Sequence, residues 1–109
     1  MDVKSREEII KFAQKLNSTN LSPLRSGNIS LKAQNNNEAG FLITPSGKKY
    51  DSLKADDIVF VSLEGRYDEK GLQPSSEWRF HKDIYLKKAD AKAVVHAHSP
   101  HATAVSAHN

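Results

Sequence analysis

Cysteine is absent from all 109 residues, so neither a disulfide framework nor a thiolate metal site can form. The absence fits a reducing compartment. Long apolar runs are missing too. The longest uninterrupted aliphatic or aromatic run, Ile58-Val59-Phe60-Val61, is far short of the roughly 20 residues a membrane-spanning helix needs. The opening stretch Met1-Asp2-Val3-Lys4-Ser5-Arg6-Glu7-Glu8 is charged and has no apolar core of the kind a signal peptide carries. Charge of one sign is not clustered either: the net charge is +3, but lysines alternate with acids, and only Lys48-Lys49 and Lys87-Lys88 are adjacent pairs. A nucleic-acid groove clusters basic residues and interleaves aromatic ones, and aromatics make up 7% here. The expectation is a cytoplasmic, soluble chain with no membrane and no nucleic acid among its partners. Its mild positive field favours a small anionic substrate.

What is present suits one modest domain, with 38% hydrophobic and 27% charged residues. Ser5-Arg6-Glu7-Glu8 has the form of a capping box, and Ile9, Phe12, Ala13 and Leu16 follow at helical spacing, predicting a helix to about Leu16. Asn17-Ser18-Thr19-Asn20 reads as its exit and Ser22-Pro23 as a turn. Ile29 to Ala33 and Gly40 to Thr44 read as two strands joined by the polar connection Gln34-Asn35-Asn36-Asn37-Glu38. Asp57 to Ser62 is a third strand. Pro74-Ser75-Ser76 opens a helix to about Lys88, with Phe80 and Ile84 on one side, and Ala93 to Ala97 is the next strand. Ser99-Pro100 predicts a terminal helix. Connections this tight forbid parallel crossovers, so the sheet should be largely antiparallel.

Two imidazoles and a carboxylate carry the chemistry. On an extended Val94-Val95-His96-Ala97-His98, His96 and His98 share a face. Glu77 stands at the start of a helix. Histidine and carboxylate are zinc ligands, although an isolated H-x-H is often a half-buried polar pair and a carboxylate at a helix start is explained by the dipole. Three turns have the small and hydroxyl residues that suit an oxyanion: Ser26-Gly27-Asn28, Thr44-Pro45-Ser46-Gly47 and Pro74-Ser75-Ser76. Taken singly, each is explained as a turn.

The segments Ser26-Gly27-Asn28-Ile29-Ser30, Ile43-Thr44-Pro45-Ser46-Gly47, Pro74-Ser75-Ser76-Glu77-Trp78-Arg79-Phe80-His81 and Ala93-Val94-Val95-His96-Ala97-His98 resemble, in order, the motifs of the class II aldolase/adducin family. The resemblance is strongest to the fuculose-phosphate aldolase-like branch. It implies an α/β fold of the α+β type: three α/β/α layers around a largely antiparallel sheet, incomplete at the C-terminus. Residues 1–109 would be the N-terminal portion of one such domain. It also implies zinc, or another divalent metal, on Glu77, His96 and His98, with a third histidine from beyond Asn109. Gly27, Asn28, Ser46, Gly47, Ser75 and Ser76 would surround a substrate phosphate. Arg25 and His101 are candidate substrate contacts, and His81, His101 and His108 are candidate substitutes for the third zinc histidine.

The implied activity is a zinc-dependent lyase that cleaves a phosphorylated sugar through a metal-stabilised enediolate, with Glu77 as the catalytic proton carrier and a homotetramer as the assembly. The same fold allows a sugar-acid phosphate decarboxylase, epimerase or dehydratase. A non-catalytic adducin-like interaction domain is a further alternative, against which the retained Glu77, His96 and His98 argue. A species of 109 residues is expected to bind zinc weakly and to turn over little.

Overall fold

The computed structural model describes residues 3–18, 27–96 and 102–106. Five strands form one sheet: β1 (Asn28–Asn35), β2 (Glu38–Ile43), β3 (Val59–Ser62), β4 (Ala91–His96) and β5 (Ala102–Ser106). Their order is β3-β2-β1-β4-β5, and every neighbouring pair is antiparallel. The β1–β2 hairpin closes with Asn35 opposite Glu38, and the two loop residues Asn36 and Asn37 have φ of 52° and 67°. Asparagine tolerates this left-handed backbone, and the resulting turn matches the twist of the strands. Two α-helices, α1 (Val3–Ser18) and α2 (Trp78–Lys87), and two short 3-10 helices, Tyr50–Ser52 and Ala55–Asp57, complete the described elements.

Period-two alternation sorts the strand side chains onto two faces. Ile29 and Leu42 join Ile9 and Ala13 of α1, with Tyr50, Leu53 and Ile58, in one core. Phe41 and Ile43 on either side of Leu42, with Val61 and Val94, face the other way, against Tyr85 of α2. One helix thus covers each face, and the expected three-layer α/β/α arrangement with an antiparallel sheet is what the chain forms. Among the described residues no helix is long and apolar enough to cross a membrane.

Four expectations need correction. The predicted terminal helix is not formed over 102–106: that segment is β5, paired to β4 from Ala102↔His96 to Ala91↔Ser106. Thr103 and Val105 give it β-branched residues at every second position, and pairing satisfies the backbone groups along β4. Helix α1 begins at Val3, so Ser5 lies within its first turn and not at a cap. That turn is held by Arg6, whose guanidinium donates to the carbonyls of Ala55 (2.9 Å) and Ile58 (2.6 Å). Phe12 is exposed, because the buried stripe of α1 is Ile9 and Ala13 at i, i+4. On α2 the buried pair is His81 and Tyr85, leaving Phe80 exposed and Trp78 and Ile84 at the flanks.

Candidate metal and anion site

The site forms where α2 begins and β1 starts. Asn28 pairs with His96 across β1 and β4. Both belong to the alternation set that includes Ser30 and Val94, and so to the sheet face covered by α2. Glu77 is the N-cap of α2, yet its side chain makes no capping hydrogen bond. Its Oε1 instead lies 3.7 Å from Nδ1 of His96. That is too long for a hydrogen bond, and Nδ1 is a buried nitrogen with no partner among the described residues. A buried, unpaired nitrogen is costly unless something completes it. A cation held between imidazole and carboxylate does so, and two ligands at this spacing suit a tetrahedral ion. The donor pair therefore fits zinc. No cluster of three metal-binding side chains occurs among the described residues, and His98 lies outside them.

Beside this pair is a cavity of about 220 Å³ lined by Gly27, Asn28, Pro45, Ser46, Gly47, Tyr50, Ser75, Ser76 and Glu77. All six residues expected around an anion are in it, and Glu77 borders it. Two loops form its wall. Ser46 N–H donates to Gln73 O and Ser75 N–H to Thr44 O, each at 2.9 Å, around a β-bridge between Pro45 and Pro74. The Ser46 and Ser75 amides are thus committed to the loop–loop bridge. Ser75 Oγ accepts from Glu77 N–H at 3.2 Å and keeps its own proton to donate. The donor capacity of these serines lies in their hydroxyls. Gly47 has φ of +75°, and a Cβ there would meet nothing within 4 Å, so its glycine is required by backbone conformation and not by crowding.

Tyr50 was not singled out by the sequence. Its hydroxyl donates to the carbonyl of Gly27, fixing that residue directly ahead of β1. Burial pushes the phenol up to about 12, against the opposing pull of a Thr44 hydrogen bond. Thr44 in turn exchanges hydrogen bonds with Ile29, its amide donating at 3.1 Å and its Oγ1 accepting at 3.3 Å. Nothing in local sequence marks Tyr50, since its partner is 23 residues away.

His81 is fully buried, and both its ring nitrogens are used: Nδ1 lies 2.6 Å from Ser30 Oγ, and Nε2 bonds Asn28 Oδ1. It is therefore not a substitute metal ligand. Arg25, His101 and His108, the other candidates, lie outside the described residues. Burial, with the nearby His96 adding to it, pushes the His81 imidazole down to about 3. The unfolded chain takes up that proton near pH 6.5, so the stability from burying neutral His81 is complete above that value and lost as pH falls toward 3. Denaturant melts between pH 7 and 4 should show a slope from this group approaching ~1.4 kcal/mol per pH unit. His81→Gln should flatten it; equal slopes in both proteins would contradict the assignment.

A sequence profile described as "Class II Aldolase and Adducin N-terminal domain" matches residues 7–109. The chain belongs to this class II aldolase/adducin family. The class II aldolase-type chain is 42% identical over 103 residues to L-fuculose phosphate aldolase of Escherichia coli (strain K12), covering 94% of this chain and 46% of that protein. It is 40% identical over 101 residues to the 5-methylthioribulose-1-phosphate/5-deoxyribulose-1-phosphate aldolase of Rhodospirillum rubrum, covering 93% and 43%. Among solved structures, an L-fuculose 1-phosphate aldolase superposes with a TM-score of 0.80 at 33% identity, over 92% of this chain and 46% of that one. YgbL of Klebsiella pneumoniae, described as a putative aldolase/epimerase/decarboxylase, gives 0.78 at 33% identity, over 92% and 47%. The chain spans about half the length of the curated relatives it matches.

Proposed function

We propose that this chain carries the phosphate-binding and proton-transfer part of a zinc-dependent aldolase that cleaves a phosphorylated sugar. The observation that carries the reading is the one cavity in which Gly27, Asn28, Ser46, Gly47, Ser75 and Ser76 meet Glu77, next to a His96 nitrogen without a partner among the described residues. Hydroxyls of Ser46, Ser75 and Ser76 and the Asn28 amide hold the phosphate and orient the sugar. Glu77 and His96, with His98, hold the metal. Bound zinc supplies Lewis-acid stabilisation of negative charge developing on the substrate oxygens. Glu77 takes the proton of the hydroxyl beside the scissile carbon–carbon bond and returns it to carbon once the aldehyde has separated. A homotetrameric assembly and a cytoplasmic setting, the latter supported by the lack of cysteine, belong to the same reading.

The test is a panel of phosphorylated ketoses and sugar acids offered to the zinc-loaded chain, with binding, aldehyde release and carbon dioxide release followed separately. Phosphorylated ketoses should bind more tightly than their free sugars and yield aldehyde, however slowly. Glu77→Gln should lower aldehyde release about 10²–10⁴-fold. Equal affinity for phosphorylated and free sugars, or carbon dioxide in place of aldehyde, would overturn the reading.

A further inference from the structure

We propose that Tyr85, Ser30, His81 and Asn28 form a one-directional hydrogen-bond relay that orients the Asn28 amide, making His81 a positioning residue for the bound anion. The inference rests on the proposed anion role of the cavity. The four side chains link end to end inside the sheet–helix interface: Tyr85 Oη to Ser30 Oγ at 2.8 Å, Ser30 Oγ to His81 Nδ1 at 2.6 Å, and His81 Nε2 to Asn28 Oδ1. All four residues are buried.

Proton counting sets the direction. A neutral imidazole has one N–H and one lone pair, and an amide oxygen has only lone pairs. Because Oδ1 of Asn28 meets Nε2, the ring proton sits on Nε2, and Nδ1 is the acceptor. The Ser30 proton is then used on Nδ1, which leaves Ser30 Oγ to accept from the Tyr85 hydroxyl. Every donor is used once. The reverse polarity would turn the Asn28 NH₂ inward, toward His81, and present its oxygen to the cavity. An amide oxygen there would repel a phosphate, whereas the NH₂ donates to it. Asn28 lines the cavity, and with Oδ1 tied to His81 its remaining polar group is that NH₂. The relay also ties β1 to α2 within one turn of Glu77, so the anion donor and the proton carrier share one rigid mount.

The test measures inorganic phosphate affinity of the full chain by NMR titration, following the Asn28 side-chain NH₂ signals, together with the His81 tautomer from its ring ¹⁵N shifts. The relay requires the Nε2–H tautomer and an Asn28 NH₂ pair that shifts on adding phosphate. His81→Leu should weaken phosphate about tenfold or more, the loss of one hydrogen bond to a charged group, and His81→Gln should restore most of it because its amide offers a donor NH₂ for Asn28 and an acceptor oxygen for Ser30. Asn28→Asp keeps the inward acceptor but removes the outward donor, and should abolish phosphate binding. If Asn28→Asp binds phosphate normally, the cavity reading itself fails. If Asn28→Asp abolishes binding while folded His81→Leu does not weaken it, the cavity reading stands and the relay is overturned. Should His81→Leu fail to fold, the unaltered chain still decides: a proton on Nδ1 overturns the relay.

Discussion

His96→Ala should bind zinc about 100-fold more weakly than the unaltered chain, with no loss of stability in the metal-free state. Both halves of that result follow from one atom. Nδ1 of His96 is buried without a hydrogen-bond partner among the described residues, so in the absence of metal it contributes a desolvation cost of about 1–3 kcal/mol. Removing the ring removes that cost. The place of His96 in β4 is held by backbone pairing to Asn28 and Ala102, which alanine retains. With metal present the balance reverses. Loss of residues that merely support zinc ligands already costs about 10–100-fold in affinity, so loss of a ligand should cost at least the upper end of that range. Calorimetric zinc titration and denaturant melts of both proteins check the two halves. Unchanged zinc affinity in the variant would place the metal elsewhere. A destabilised apo-protein would mean that the ring's packing on Phe80, or a partner of Nδ1, outweighs that cost.

Gly40→Val should prevent the sheet from assembling, and Gly40→Ala should destabilise it by about 3 kcal/mol or more. A Cβ at position 40 would run into the Val61 carbonyl oxygen, would lie 2.6 Å from the tip of the Phe60 ring and would come within 2.9 Å of the Ser62 Cα. The ring can turn aside, but two of the three obstacles are backbone of β3, which is paired to β2 at this point through Gly40↔Ser62. Relief requires β2 and β3 to separate. That opens the core on both faces and shifts the Thr44–Gly47 loop that follows β2 into the cavity wall. For a domain whose whole stability is expected to be about 5–15 kcal/mol, the valine clash is decisive. Circular dichroism and denaturant melts measure it. A second change, Phe60→Ala, should recover only part of the loss in Gly40→Ala. Full recovery would show that the ring, and not the β3 backbone, is the barrier.

Much of the fold was legible because its signals are local. Apolar alternation marked β1, short apolar runs marked β2, β3 and β4, the asparagine run marked the hairpin, and Pro74-Ser75-Ser76 marked the approach to α2. The segment after Pro100 was misread because short alanine-rich stretches suit helix or strand, and only the open edge of β4 selected strand. Helical spacing groups Phe12 with Ile9 and Ala13, and Phe80 with Ile84. The buried stripes instead follow Ile9/Ala13 and His81/Tyr85, whose position relative to the sheet is set by packing.

By itself the sequence determined the donor chemistry: Glu77, His96 and the serine- and glycine-bearing turns, in the order of the class II aldolase/adducin family. Residue type and strand or helix periodicity are properties of the chain at short range. The tertiary structure alone decided which of those donors are free. It committed the Ser46 and Ser75 amides to a loop bridge and withdrew His81 from metal duty into a buried hydrogen-bond chain. It left one nitrogen of His96 without a partner among the described residues, beside Glu77. The physical reason is that hydrogen-bond capacity is finite and burial makes each unpaired group costly, so a donor's availability depends on partners brought from 15 to 55 residues away.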